Sequence, residues 1–353
     1  MRALVTGATG LIGAQIVRAL VADGIEVRCL VRPSSRLAAL DGLPLQWAVA
    51  DLADADAGLD DACAGCDIVF HTAAQFAYGG SDAAMMQVAV AGSERLLRAC
   101  ARTGVRRIVL TSSSVVFGHA RDGVPVTEDA PLAASADEPG YVAAKIAQHR
   151  RAQALAELLD LDIRYACPTM AIGPTGSSLG PSNAMLVAYL ADPFRSTYPG
   201  GCNLVAARDV AAGHLLIAAA GRAGESYLLG AQNLTWRQIH GMIAELAGVA
   251  PPQVELTHAA AFLAAAAEEL RAKLAGRTAL STREQAGMVG RHYWYSHARA
   301  AALGYAPVPA RAALVEAISW LAASPHVSRE TRACMRLAED IYRFRATATE
   351  MPA

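Results

Sequence analysis

The sequence predicts an α/β fold: a doubly wound parallel sheet with a smaller C-terminal substrate-binding domain. Three observations predict it. Short β-branched runs alternate with longer amphipathic stretches through the first half of the chain. A glycine-rich turn, Gly7-Ala8-Thr9-Gly10-Leu11-Ile12-Gly13, directly follows the first run. The 353 residues are 54% hydrophobic and 18% charged, the balance of a globular chain with a substantial core.

The β-branched runs fall at residues 3–6, 26–31, 45–50, 67–71, 107–111 and 162–167, with helical patterns at 11–22, 86–103 and 141–159. Strand, helix, strand repeated this way requires crossover connections, which a parallel sheet covered on both faces provides. With the glycine turn after its first strand, this is a Rossmann-type arrangement. After residue 168, Gly173-Pro174-Thr175-Gly176-Ser177-Ser178 and Pro199-Gly200-Gly201 read as loops that line a site. Further helices are expected at 236–247, 259–274 and 312–322. The expected division is 1–170 for dinucleotide binding, with returning segments from about 203–230, and 171–322 mainly for substrate. A tail follows at 323–353, with a helix expected over 332–342.

Basic and acidic residues number 31 and 32, so a net charge of -1 gives no general attraction to a polyanion, and nucleic acid is not an expected partner. Only Lys145 and Lys273 among the basic residues are lysines. Lys273 has Glu269 one helical turn before it, which predicts a surface ion pair. The seven cysteines are scattered and odd in number, which fits a reducing cytoplasm. Cys63 and Cys66 lack a second pair at zinc spacing, His71, His149 and His214 form no cluster, and no metal is expected. The first residues run straight into the glycine turn, so no signal peptide is expected. The most apolar later run, 259–267, is far shorter than the roughly 20 residues of a membrane span.

In the turn, Gly7 permits the tight bend, Gly10 lets the backbone approach a pyrophosphate, and Gly13 allows close helix packing. The helix that follows presents free N–H groups to phosphate. At the end of the second strand, an acidic residue would bond a ribose 2′-hydroxyl, whereas arginine accommodates a 2′-phosphate. The sequence there is Val31-Arg32-Pro33-Ser34-Ser35-Arg36, which predicts NADP(H) over NAD(H).

Tyr141 and Lys145 lie four residues apart on one helix face, where an ammonium can approach a phenol. With ten tyrosines and two lysines in the chain, such a pair rarely arises by chance. A neighbouring positive charge lowers a phenol's pKa and equips it for proton transfer near neutrality. The fifth strand ends in Thr111-Ser112-Ser113-Ser114, on the sheet edge where ligands bind. A hydroxyl there can hold a substrate oxygen, although serines also end strands through local backbone bonds.

These residues resemble the extended short-chain dehydrogenase/reductase superfamily, in its dihydroflavonol-4-reductase-like branch with the hopanoid-associated sugar epimerase-like proteins (NAD-dependent epimerase/dehydratase family). The resemblance rests on Thr6 to Gly13, Asp51-Leu52, His71-Thr72-Ala73-Ala74, Thr111-Ser112-Ser113, and Tyr141 with Lys145. Later segments, Asp209-Val210-Ala211-Ala212-Gly213-His214 and Gly290-Arg291-His292-Tyr293-Trp294-Tyr295, point to the branch. It implies cofactor contacts from Thr6, Gly7, Thr9, Gly10, Leu11, Ile12 and Gly13, and from Arg32, Ser35 and Arg36. Asp51 would bond the adenine amine, Leu52 would pack near the ring, and Thr72, Ala73 and Ala74 would lie beside the cofactor. Pro168 and Met170 would flank the nicotinamide. Ser113, with Ser114 as fallback, matches the catalytic serine; Tyr141 would be the acid/base and Lys145 would hold the ribose. The resemblance also implies a homodimer through the helices at 86–103 and 141–159. Two departures stand out: Ala89 occupies the place of an asparagine that supports a proton relay, and Ala144 that of a serine before the lysine.

The leading expectation is an NADP(H)-dependent oxidoreductase interconverting a ketone or aldehyde and an alcohol. Between Pro168 and Gly221 only Arg195 and Arg208 are basic besides His214, too few for a second diphosphate. The apolar stretch 184–190, with Met185 and Tyr189, suits a lipophilic substrate that is steroid-like, polycyclic or polyketide-like, and serves equally well as a buried helix face. His292-Tyr293-Trp294-Tyr295 is readable as pocket lining or as inter-domain packing. A nucleotide-sugar epimerase or dehydratase is the alternative within the fold, and a non-catalytic cofactor-sensing protein the alternative outside enzymes.

Overall fold

The computed structural model describes residues 1–54, 58–73, 86–134, 140–174, 179–276 and 279–350. Its strands in chain order begin β1 (Arg2–Thr6), β2 (Glu26–Val31), β3 (Leu45–Val49), β4 (Ile68–His71), β5 (Arg107–Thr111) and β6 (Asp162–Pro168). After β7 (Met170–Ile172), β8 (Ser196–Thr197) and β9 (Gly201–Ala206) comes β10 (Ser226–Leu229), followed by β11 (Gln232–Thr235), β12 (Val254–Glu255) and β13 (His292–Tyr293). Seven of them form one parallel sheet in the order β10-β6-β5-β4-β1-β2-β3. The order reverses direction between β1 and β4, which opens a crevice at the carboxyl ends of the strands.

Both faces of that sheet are covered, as the strand composition requires. Ala3 and Val5 of β1 join Ile16, Val17 and Leu20 of α1 (Leu11–Ala22) in one core, while Leu4 points into the other. The second core is filled by α2 (Leu59–Cys63), α3 (Ser93–Thr103) and α4 (Gly140–Leu159), through Leu96, Leu97, Ile146 and Leu155. Period-two alternation along a strand thus feeds two cores. The pattern expected over 86–103 is helical throughout but not uniformly α: residues Gln87–Gly92 form a π turn before α3.

Of the returning stretch 203–230, helix α6 (Ala207–Ala220) packs beside α1 and β10 closes the sheet edge next to β6. Strand β9 goes elsewhere, to a second sheet with β7, β11 and β13. Around it lie α5 (Pro181–Ala191), α7 (Trp236–Ala247), α8 (His258–Leu274) and the helix Ala310–Ala323. Among the described residues no helix is long and apolar enough to cross a membrane.

Two expectations fail here for local reasons. The tail is not one helix over 332–342; it forms helices Arg329–Ala333 and Glu339–Glu350 with extended chain between. That chain donates from Arg336 N to Ala247 O at 2.8 Å and from Ala338 N to Leu246 O at 2.9 Å, satisfying carbonyls at the end of α7. Gly248 permits the approach: it has φ 63°, and a Cβ there would collide with the Arg336 carbonyl. Glu269, expected to pair with Lys273, instead accepts from the backbone N–H and the guanidinium of Arg283, at 2.9 and 2.7 Å.

Candidate active site

The turn after β1 is shaped by what would collide in it. Gly7 has φ 66°, and a Cβ there would lie 2.7 Å from the Ala73 nitrogen. A Cβ on Gly13 would lie 2.2 Å from the Gly7 carbonyl oxygen. Gly10 differs: among the described residues the only neighbour its Cβ would meet is that same oxygen, at 3.2 Å, and the residue lines a cavity. Gly10 is also the N-cap of α1 and offers no side-chain cap, so the first N–H groups of a 12-residue helix face the opening. An open glycine beside a free helix N-terminus fits a pyrophosphate.

Across the crevice, β5 ends at Thr111 and the chain continues extended through Ser113, φ -156°. The Ser113 side chain hydrogen-bonds the Tyr141 phenol, a contact that lowers the phenol pKa. Burial is the larger effect and pushes Tyr141 up to about 12. Lys145 does not offset it. Its ammonium, itself pulled down to about 8 by burial, donates to Thr111 O and Gln148 Oε1, each at 3.0 Å. The expected lowering of the phenol by the lysine is therefore missing from the chain alone. Glu284 Oε1 accepts from the Tyr141 backbone N–H at 3.0 Å, which caps the start of α4 from the second half of the molecule.

The histidines singled out in the sequence each face a hydroxyl. His71 Nδ1 lies 2.7 Å from Thr6 Oγ1, His149 Nδ1 lies 2.8 Å from Ser112 Oγ, and His214 Nε2 lies 2.9 Å from Thr111 Oγ1. Burial holds all three well below the usual imidazole value, so they are neutral near pH 7.

One cavity of about 750 Å³ joins the glycine turn to a largely apolar chamber. Gly7, Gly10, Leu11, Ile12, Gly13 and Thr72 line one end; Ser113, Ser114, Tyr141 and Lys145 lie along it with Pro168 and Met170. Met185 and Tyr189 line the chamber from α5, and both sequence readings of that segment hold on different faces: Leu186 and Leu190 of the same helix are core. The Tyr189 hydroxyl donates to Ala250 O at 3.0 Å, so its ring is what the chamber meets. The aromatic segment 292–295 divides in the same way. Tyr293 and Tyr295 line the cavity, while Trp294 Nε1 donates to Leu234 O at 3.2 Å in packing.

Residues 3–230 match the profile of the NAD dependent epimerase/dehydratase family. The chain belongs to that family. Within it the chain is an extended short-chain dehydrogenase/reductase of the dihydroflavonol-4-reductase-like branch, an oxidoreductase of a family that depends on a nicotinamide dinucleotide. A Synechocystis sp. protein bearing the name dihydroflavonol 4-reductase is 30% identical, over 90% of this chain and 93% of its own length. Sterol demethylase protein B of Methylococcus capsulatus is 33% identical, over 72% of this chain and 77% of its own. The crystal structure of gox2253 is 32% identical, with a TM-score of 0.81 over 92% of this chain and 99% of that one.

Other expected residues of this family member lie away from the cavity wall. Thr6 is fully buried, and its hydroxyl accepts from Ala73 N at 3.3 Å. Asp51 Oδ1 accepts from Ala53 N at 2.9 Å, and Leu52 is core. Arg32 and Arg36 are exposed beyond β2, where Ser35 Oγ accepts from Arg32 N at 3.0 Å. Thr9 is in the turn without lining the cavity, and Ala74 lies outside the described residues. What sequence reasoning missed is the chamber's far wall. Tyr198, Trp236 and His240 cluster there, with the His240 ring stacked on Tyr189 at 4.5 Å. Also missed was Gln148, although Tyr141, Lys145 and Gln148 at i, i+4 and i+7 mark one helix face.

Proposed function

We propose that the chain is an NADP(H)-dependent oxidoreductase that interconverts a ketone or aldehyde and an alcohol on a lipophilic, multi-ring or polyketide-like small molecule. The observation that carries this reading is the Ser113–Tyr141 hydroxyl pair, set beside Lys145 in a chamber whose described lining contains no arginine. Arg195 and Arg208, the two that a nucleotide-sugar diphosphate would call on, are committed elsewhere. Arg195 donates to Tyr189 O and Leu190 O at 2.7 and 2.9 Å, and Arg208 pairs with Glu316 at 3.4 Å. The names of the dihydroflavonol and sterol relatives, both multi-ring compounds, support the same substrate class.

In this reading Ser113 holds the substrate oxygen and Tyr141 gives it a proton on reduction, or removes one on oxidation. A phenol raised by burial is protonated at neutral pH, the form reduction needs. Lys145 orients the ribose, and the uncapped start of α1 binds the pyrophosphate. A nicotinamide held there would supply or accept the hydride. The apolar walls exclude water and fix the reacting carbon, which supplies much of the proximity advantage.

The proposed division of labour follows the sequence: residues 1–170 for cofactor, with returning segments near 203–230, and 171–322 mainly for substrate. The scattered, odd-numbered cysteines are the support for a cytoplasmic location. The family resemblance supports a homodimer through α3 and α4.

The preference for NADP(H) is supported by Arg32 and Arg36, both exposed and without an ion-pair partner among the described residues. The Michaelis constant for NADPH should be at least about tenfold below that for NADH, and Arg36→Ala should narrow the gap. A wild-type preference for NADH overturns the cofactor assignment. The substrate class is tested by following NADPH absorbance across steroid, polycyclic aromatic, aliphatic ketone and nucleotide-sugar panels, with turnover expected on lipophilic ketones.

A further inference from the structure

Behind Lys145 runs a buried chain of hydrogen bonds that joins four elements, α4, α3, β4 and β1. Lys145 Nζ donates to Gln148 Oε1 at 3.0 Å, and Gln148 Nε2 donates to Ser93 Oγ at 2.8 Å. Ser93 Oγ lies 2.8 Å from His71 Nε2, and His71 Nδ1 lies 2.7 Å from Thr6 Oγ1. Lys145, Gln148, Ser93, His71 and Thr6 are each 4% exposed or less.

The protons in this chain have one consistent arrangement. The Ser93 hydroxyl has a single proton, and it goes to Ala89 O at 2.6 Å, an acceptor with nothing to give back. Ser93 must therefore accept from both Gln148 and His71, which puts the imidazole proton on Nε2. A neutral His71 then accepts at Nδ1 from the Thr6 hydroxyl. The Gln148 amide is locked as well: flipped, it would aim its NH2 at an ammonium and its oxygen at a Ser93 oxygen with no proton to offer. Ala89 contributes only its carbonyl, so the polar work at this point passes to side chains on α3 and α4.

We propose that Gln148, held by Ser93 and His71, is a positioning residue that fixes the Lys145 ammonium beside Tyr141 and keeps it protonated. The inference rests on the reading of Lys145 as the cation of the reacting centre. A buried ammonium needs oxygen partners. Of its three donors, two are taken by Thr111 O and Gln148 Oε1, and no other acceptor among the described residues is within hydrogen-bond range. The titratable neighbours bring no charge to help. Tyr141 and His149 on α4, His71 on β4, and Cys167 on β6 are all uncharged near neutrality, as is His214 on α6, which bonds Thr111. Among the described residues Gln148 is therefore the one side-chain oxygen holding the charge.

The two-lysine composition makes the test direct. In chain grown with lysine labelled with carbon-13 at Cε, only Lys145 and the exposed Lys273 give signals, and Lys273→Arg assigns them. Titration by NMR should show the Lys145 pKa falling by about one unit or more in Gln148→Leu, and rising in Gln148→Glu, where a carboxylate replaces the amide. Ser93→Ala should shift it downward by less. With NADPH and a ketone, the alkaline limb of the rate should move the same way in each variant, and Gln148→Glu should retain kcat within about threefold. The inference is overturned if Lys145 titrates unchanged in folded Gln148→Leu, or if both Gln148 variants lose kcat without any shift in titration. Should Gln148→Leu not fold, the direction of the Gln148→Glu shift decides. The NMR arm needs no substrate, so a chain that reduces no ketone would refute the proposed activity, while the titration would still decide whether Gln148 supports the lysine.

Discussion

Gly10 and Gly13 sit three residues apart in one turn, yet they do different jobs. A methyl on Gly13 would lie 2.2 Å from the Gly7 carbonyl oxygen, inside the fold, whereas a methyl on Gly10, which lines the cavity, would lie 3.2 Å from that oxygen. Gly13→Ala should therefore lower stability by roughly 1–3 kcal/mol, as overpacking does, read as a fall in the urea midpoint. Gly10→Ala should lower that midpoint by less and weaken dinucleotide binding by about tenfold, measured by fluorescence titration with NADPH. Equal effects of the two on stability would mean that the turn is not built as described. The glycines were legible in the sequence because part of the reason for them is local, the bend at Gly7 and the approach of Gly13 to the Gly7 carbonyl, although Ala73 also crowds Gly7 from β4's end. Gln148 was not. Its spacing from Lys145 placed it on the same helix face, but its partner Ser93 comes from α3 and is bonded in turn by His71 of β4, and nothing in a single sequence states that those elements meet there.

At the scale of elements, α5 shows why the apolar stretch 184–190 had two equally good readings. The helix is apolar all round, so periodicity carries no facing information, and tertiary packing decides. Ala188 faces the chamber and Ala184 is buried against the core. Ala188→Phe should raise the Michaelis constant for bulky ketones by about tenfold at nearly constant Tm. Ala184→Phe should cost roughly 1–3 kcal/mol of stability by overpacking. Kinetics and thermal unfolding of the two variants separate these outcomes, and a destabilised Ala188→Phe with normal kinetics would contradict the orientation. The first six strands and the helices at 11–22 and 141–159 were legible to within a residue or two, since each has a strong period and clear punctuation. The tail was not, because its break at 334–338 answers the unpaired carbonyls at the end of α7, far away in sequence.

The molecule as a whole places two kinds of surface in one cavity. The sheet, wound around its reversal between β1 and β4, supplies the glycine turn and the Ser113–Tyr141–Lys145 group. The elements after residue 168 supply the walls, from Met185 on α5 to Trp236 and His240 on α7 and Ala265 on α8. Most of the first surface could be read from motifs, because a phosphate-binding turn and a proton-transfer pair impose fixed spacings. The second could not, because an apolar chamber needs only shape, and shape is assembled from single residues on separate elements. The claim that joins them is that Tyr141 delivers a proton to a carbonyl held in that chamber while NADPH is consumed. Stopped-flow absorbance of NADPH with a lipophilic multi-ring ketone, comparing wild type with Tyr141→Phe, tests it most directly. Oxidation of NADPH by the wild type, slowed by about 100-fold or more in Tyr141→Phe with NADPH affinity retained, is the expected result. Turnover at the wild-type rate in Tyr141→Phe, or conversion of nucleotide sugars without net NADPH consumption, would contradict it.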